Sequence, residues 1–320
     1  MLLEVKNLRT YFRTTKGILK AVDDVSFSLD RGEALGIVGE SGCGKTTCAL
    51  SIAKMLPKEG YIEGGEVLLN GKDLARLSEK EIRSHRWKDV SIVFQGAMNA
   101  LNPVMTVGKQ IAEAIELHDK LDRAAAMQKA ADMLELVDIP KDRIDRYPHE
   151  FSGGMKQRVM IAMALACNSK VVIGDEPTTA LDVMIQAQIL ELLEKLRQQM
   201  DMGLILITHD LSILSETCDR IAVMYAGKIV ETGTAEDIFE HARHPYTQRL
   251  TACFPDISAK KIIPEGIEGF PPNLIQPPKG CRFHPRCQHA IERCRQDDPA
   301  MVWLAKEHQA ACHLVEMPHE

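Results

Sequence analysis

Apolar positions along this chain fall into three rhythms. Residues 1–30 alternate: Leu3, Val5 and Leu8 mark one strand, and Leu19, Ala21, Val25, Phe27 and Leu29 a second, before Arg31-Gly32-Glu33 turns the chain. Short unbroken runs follow at Ala34–Val38, Ser91–Phe94, Val171–Gly174 and Gly203–Ile207. Runs of that length, apolar throughout, predict strands covered on both faces. Gly64–Asp73 reads as a strand and hairpin turn, and Ile221–Glu231 as a hairpin about Gly227. Helical spacing appears in Val107, Ile111 and Ile115, and again in Ala126, Ala130, Met133, Leu134 and Val137, ending near Pro140 and Pro148. It recurs across Asp182–Gln199 in Ile185, Ile189, Leu192, Leu193 and Leu196. Buried strands alternating with helices predict an α/β fold. The start adds antiparallel strands, and residues 98–158 read as a helical insertion.

After about Thr251 the rhythm stops. Pro255, Pro264, Pro271, Pro272, Pro277 and Pro278 cluster there. The division expected is one α/β domain over 1–250 and a loop-rich, Pro-rich extension over 251–320.

Composition narrows the function classes. Of the 320 residues 45% are hydrophobic, enough for a real core, and the net charge of −6 disfavours nucleic acid as a partner. The longest apolar run, Val159–Cys167, falls far short of the ~20 residues of a membrane span. The Met1–Lys6 stretch lacks the long apolar core of a signal segment, so any membrane role is expected to be peripheral. Five of the nine cysteines (Cys43, Cys48, Cys167, Cys218 and Cys253) are scattered, as suits a reducing compartment.

The chemistry centres on Gly39-Glu40-Ser41-Gly42-Cys43-Gly44-Lys45-Thr46, a G-x-x-x-x-G-K-[ST] phosphate loop between a strand and a helix. Its glycines let successive N–H groups face one concavity, and the helix that continues through Thr47 adds its positive end. Lys45 would reach the outer phosphates and the Thr46 hydroxyl would bind Mg²⁺. Asp175, ending a buried run, puts a carboxylate near that ion; Glu176, pointing the other way if the strand persists, can align the attacking water. Gln95 could touch Mg²⁺ or the water, and His209 a γ-phosphate. Ser152-Gly153-Gly154 opens a helix and makes a second anion-binding end. One P-loop with two such ends points to a dimer, each Ser-Gly-Gly capping the nucleotide of the other subunit.

In this order, with Ala180-Leu181-Asp182 between Glu176 and His209, the motifs resemble those of ABC-transporter ATPase subunits over residues 1–250. The resemblance implies a P-loop ABC ATPase with a RecA-like core, an antiparallel β-subdomain and a helical subdomain. It also implies a nucleotide sandwich with a second ABC ATPase subunit, and docking to transmembrane permease subunits at the cytoplasmic face of the cell membrane. Carried over, Phe12 or Tyr11 stacks on adenine and Asp182 is the D-loop acid. The usual Leu-Ser-Gly-Gly-Gln signature is altered to Phe151 and Met155 at its ends. Tyr147–Met155, Arg243-His244-Pro245-Tyr246-Thr247 and Pro271–Cys287 are similar to di- and oligopeptide importer ATPases, with related nickel importers sharing part of the pattern. A peptide-binding protein would then be an indirect partner. A soluble ABC ATPase acting on DNA or ribosomes would carry tandem cassettes or a long coiled coil. A P-loop kinase would leave Ser152-Gly153-Gly154 unexplained.

Four cysteines remain. Cys281, Cys287, Cys294 and Cys312 are spaced C-x5-C-x6-C-x17-C in a segment with few core residues, which points to a fold built on a bound metal centre. Four thiolates suit Zn²⁺ or a [4Fe–4S] cluster. The long spacing and the family resemblance favour the cluster, in a structural or regulatory role.

Overall fold

A computed structural model describes residues 1–94, 96, 100–252 and 266–315. Its frame is an eight-stranded sheet. Strands β3 (Ala34–Val38), β6 (Val90–Val93), β7 (Val171–Asp175), β8 (Gly203–Ile207) and β9 (Arg220–Tyr225) run parallel in the order β9-β3-β8-β7-β6. The unbroken apolar runs are its centre: every residue of β3, β7 and β8 is buried. Alternate residues serve opposite faces. Val172, Leu204 and Leu206 join the helix-covered core, while Val171, Ile173, Ile205 and Ile207 pack with the antiparallel sheet.

That second sheet is formed by β1 (Leu3–Thr14), β2 (Gly17–Leu29), β4 (Gly60–Leu69) and β5 (Lys72–Asp73), in the order β2-β1-β4-β5. In β1 the three-residue step from Val5 to Leu8 is a bulge, with Asn7 at φ 46°, and it returns Leu8 to the core face.

The helical block contains α3 (Val107–Asp119), α4 (Arg123–Leu136) and α5 (Gly153–Leu165), numbered after α1 (Lys45–Ile52) and α2 (Glu79–Ile82). Its apolar stripe is fully buried at Ile111, Ile115, Ala126, Ala130 and Leu134. The Asp122 carboxylate caps α4 by accepting the Ala125 N–H at 2.9 Å. Helix α6 (Val183–Met200) follows β7; α7 (Leu211–Thr217) follows β8.

Beyond β9 the sheet turns antiparallel. Strand β10 (Lys228–Thr234) pairs with β9, and short α8 (Ala235–Glu240) and α9 (Pro245–Ala252) follow. The tail contributes its own edge: β12 (Gln309–Ala310) pairs with β10, and β11 (Val302–Trp303) with β12. Between them and α9 lies the short α10 (Glu292–Gln296). The apolar residues of the tail are few, yet Leu274 and Phe283 are buried in the same core as β9 and β10. Among the described residues no helix is long and apolar enough to cross a membrane.

Candidate functional site

Strand β3 delivers the P-loop to the C-terminal edge of the parallel sheet, where ligands bind in open α/β folds. Two glycines make its path possible. At Gly44 φ is 110°, and a Cβ would lie 2.2 Å from the Ala21 carbonyl oxygen; at Gly39 one would lie 2.0 Å from that of Met224. Gly44 opens α1, so its first amides and dipole face the loop. The Lys45 ammonium is buried and donates to the Gly39 and Glu40 carbonyls at 2.6 and 3.2 Å. The loop is anchored from behind by the Gly227 N–H, which donates to the Cys43 carbonyl at 2.8 Å.

Strand β7, separated from β3 by β8, brings the carboxylates. The Thr46 hydroxyl donates to Asp175 Oδ1 at 3.2 Å. Asp175 is buried, and that burial raises its carboxyl pKa, against the hydrogen bond from Thr46. The condition set on the reading of Glu176, that the strand persist through it, is not met. The strand ends at Asp175, and Glu176 adopts a left-handed φ of 48° while its N–H donates to the Ile207 carbonyl at 2.8 Å. The turn carries its side chain into the cleft. Glu176 Oε2 accepts the Thr179 hydroxyl at 3.0 Å, and Oε1 lies 3.5 Å from His209 Nδ1.

These residues share an open cleft of about 900 Å³, lined by Ser41, Gly42, Gly44, Lys45, Thr46, Thr47, Glu176, Thr179 and His209. Phe12, Leu19 and Ala21 from the antiparallel sheet line one end, joined by Pro272 and Leu274 of the tail. Of the two candidate aromatics Phe12 is at this cleft; the Tyr11 hydroxyl donates instead to Asp23 Oδ1 at 2.7 Å. Gln95 lies outside the described residues.

Ser152, Gly153 and Gly154 do not line this cleft. Ser152 is exposed and caps α5, accepting the Met155 N–H at 3.4 Å. Gly154 packs on α6, where a Cβ would meet Ile185 Cγ2 at 2.6 Å. Asp182 caps α6 through the Ile185 N–H at 3.0 Å, and Val183 and Met184 beside it are exposed.

The four tail thiols lie near enough to act on one another electrostatically. Burial pushes the Cys281 thiol up to about 11, and the neighbouring Cys294, Cys312 and Cys287 reinforce that shift. Cys281, Cys287 and Cys312 each accept a backbone N–H from two residues on, those of Phe283, His289 and Leu314, the last at 3.5 Å. Among the described residues no three of these sulfurs all lie within 4.8 Å of one another.

Sequence reasoning missed the residues that brace the P-loop from behind. Tyr246, at the N-terminal turn of α9, and Arg286 of the tail both reach Glu40. The His-Pro-Tyr run was a visible signal, but only as family likeness.

A parallel sheet with a P-loop at its carboxyl edge, a carboxylate pair at the end of β7 and a helical insertion define a P-loop ATPase of the ATP-binding-cassette type. Residues 22–179 match the ABC transporter family, and residues 230–294 match the oligopeptide/dipeptide transporter C-terminal region. The oligopeptide transport ATP-binding protein OppD of Bacillus subtilis is 50% identical over 98% of this chain and 89% of its own length. The dipeptide transport ATP-binding protein DppD of Escherichia coli is 47% identical over 98% of this chain and 96% of its own. A dimeric ATP-binding cassette solved in a post-hydrolysis state with ADP and Pi superposes with a TM-score of 0.65, at 26% identity, over 73% of this chain and 98% of that one. The chain belongs to the ABC transporter ATP-binding proteins, in the branch that carries the oligopeptide/dipeptide C-terminal region.

Proposed function

We propose that this chain is the ATP-hydrolysing subunit of an importer of di- or oligopeptides, working at the cytoplasmic face of the membrane with permease subunits and a second ATPase subunit. The observation that carries the peptide reading is joint. One chain holds the cassette and the oligopeptide/dipeptide C-terminal region, and aligns over nearly its whole length with peptide-transport ATPases.

In this reading the P-loop amides and Lys45 hold the phosphates of ATP, and Phe12 stacks on the adenine. Mg²⁺, when bound, neutralises the developing phosphate charge. Thr46 and Asp175 would hold it, with Gln95 as the third group expected from sequence. The residues fit: octahedral Mg²⁺ with ligands at 2.0–2.1 Å places neighbouring oxygens about 3 Å apart, and the two side-chain oxygens are 3.2 Å apart. Glu176 positions the attacking water and polarises it, while His209 beside it donates to the terminal phosphate. Ser152-Gly153-Gly154, with Ser152 exposed and none of the three lining its own cleft, caps the nucleotide of the other subunit, with Asp182 and the exposed Val183 and Met184 at that junction. ATP closes the dimer, closure moves the permease, and hydrolysis resets both.

The tail thiols fit a metal centre by their convergence and their N–H···S bonds, a common support for ligating thiolates. Four thiolates on one zinc at 2.3 Å would lie about 3.8 Å apart; among the described residues no three of these sulfurs all lie within 4.8 Å of one another. We assign Cys281, Cys287, Cys294 and Cys312 to a four-iron cluster, with a structural role.

Disrupting the gene in its host and following uptake of a labelled tripeptide tests the transport reading. Uptake should fall, return with the wild-type chain and stay low with Glu176→Gln. Unchanged peptide uptake together with lost uptake of another solute would move the assignment to that solute.

A further inference from the structure

Besides Pro272 and Leu274 at the cleft, the tail braces the P-loop through the loop that follows Cys281. Between Cys281 and Cys287 two arginines point away from the thiols into the ATPase. Arg282 Nη1 donates to the Ala226 carbonyl at 2.5 Å, and its Nη2 pairs with Asp23, the residue that also accepts the Tyr11 hydroxyl. Arg286 forms a fork on Glu40: Nη1 to Oε2 at 2.7 Å and Nη2 to Oε1 at 3.0 Å. Its remaining donors are satisfied by Tyr225 Oη at 3.2 Å and by the Ile267 and Glu268 carbonyls at 3.1 and 2.8 Å. The Arg286 side chain is only 6% exposed. Phe283 between the two arginines packs against Tyr225, Tyr246 and His244, fixing the loop.

Glu40 is the second residue of the P-loop. A carboxylate there stands in the loop whose amides and lysine must attract phosphate. With its side chain only 23% exposed, it would oppose a polyphosphate bound to the same loop unless its charge is cancelled. A bidentate guanidinium cancels it and holds it in one orientation.

We infer that Arg286 is a positioning residue for nucleotide binding. It neutralises Glu40, lets the P-loop accept a triphosphate, and so makes ATP affinity depend on the docked tail. The inference rests on the reading of the P-loop cleft as an ATP site; it is independent of which metal centre the thiols hold. Arg286 acts through Glu40, and the structure gives it no place in the cleft lining.

The test is equilibrium binding of a fluorescent ATP analogue with Mg²⁺ to the full-length chain. Binding by the wild-type chain and its loss in Lys45→Ala establish the nucleotide site by themselves, so failure of that reading is seen separately. Arg286→Gln should weaken binding about tenfold at low salt, and the deficit should shrink as salt screens the exposed charge of Glu40. The double variant Glu40→Gln with Arg286→Gln should return to within about threefold of wild type, because the charge needing cancellation is gone. In the assembled transporter KM for ATP should rise far more than kcat falls. Wild-type affinity in Arg286→Gln would overturn the inference. So would a double variant as weak as the single one, which would mean that Arg286 only holds the fold. If Arg286→Gln does not fold, Arg286→Lys and Glu40→Gln carry the decision. Arg286→Lys should bind more weakly than wild type but respond to salt like it, and Glu40→Gln alone should bind at least as tightly as wild type. Weaker binding by Glu40→Gln would count against charge cancellation.

Discussion

The Tyr246 hydroxyl accepts the backbone N–H of Glu40 at 2.9 Å, joining positions 206 residues apart. The ring is fully buried, 4.6 Å from that of Tyr225 and 5.4 Å from that of Phe283. Burial pushes its phenol pKa well up, so the group stays neutral through the physiological range. The P-loop is therefore held on two sides: by amides and carbonyls of its own sheet, and by an aromatic wall of Tyr225, Tyr246 and Phe283.

Tyr246→Phe keeps that wall and removes only the acceptor. Leaving a buried N–H unpaired costs about 1–3 kcal/mol. The variant should melt lower than wild type, and added Mg-ATP should raise its melting temperature less. Thermal unfolding with and without nucleotide reads both. Equal melting curves would show that the Glu40 N–H has another acceptor.

Legibility in the sequence followed the range of the interaction. The strands β3, β7 and β8 were readable because residues buried on both faces must be apolar in an unbroken run. The P-loop was readable because its glycines answer a local demand, at Gly44 a positive φ and the close Ala21 carbonyl. Asp175 and Glu176 were readable as a pair at a strand end. The left-handed turn at Glu176 was not, since nothing local about Glu asks for φ 48°. Nor was the Glu40–Arg286 fork, which spans 246 residues and leaves no periodic trace. The two-residue strand Gln309–Ala310 is too short to show alternation, so the tail's share in the main sheet was invisible.

Glu176 is expected to position water without holding nucleotide. Glu176→Gln should keep ATP affinity and lose turnover by about three orders of magnitude or more, on the scale of other losses of transition-state contacts in phosphoryl transfer. It should also accumulate as an ATP-bound dimer on a sizing column. ATPase rates near wild type in the assembled transporter would remove Glu176 from the water-activating role. Thr179 and His209, which contact its carboxylate, would then be the next groups to vary.

For the tail, anaerobically purified protein should be brown and hold about four irons per chain, as a thiolate-ligated four-iron centre does. Cys287→Ser should lose the colour and expose the tail to proteolysis. The structure adds a consequence absent from a picture of two separate domains. Arg282 and Arg286 lie in the loop that Cys287 closes, so the same variant should also weaken nucleotide binding. A colourless protein with one zinc per chain would exchange the cluster for zinc and leave the coupling intact. Unchanged protease resistance and affinity in Cys287→Ser would show that the loop holds itself without a metal centre.

His244 supplies a pH dependence whose sign can be worked out. It is 1% exposed, and burial lowers its pKa from 6.5 to about 4, against the pull of Glu231. Its Nδ1 accepts the Tyr246 N–H at 3.0 Å, so a proton can be added there only by breaking that bond. The surrounding charge is already committed: Glu231 accepts the Arg243 and His244 N–H groups at 2.7 and 3.0 Å and pairs with His308 Nε2 at 2.7 Å. Between pH 6.5 and about 4 the unfolded chain binds a proton at this position that the folded chain refuses. The contribution of neutral His244 is therefore complete above pH 6.5 and is lost progressively as pH falls toward 4. By pH 5 the loss should be about 2 kcal/mol, from 1.36 kcal/mol per pKa unit. His244→Asn keeps an acceptor near the Tyr246 N–H and cannot take up a proton. Urea unfolding at pH 7.5 and 5.0 should show wild type losing about 2 kcal/mol more than the variant over that interval. Equal losses would show that His244 is not the source of the acid sensitivity.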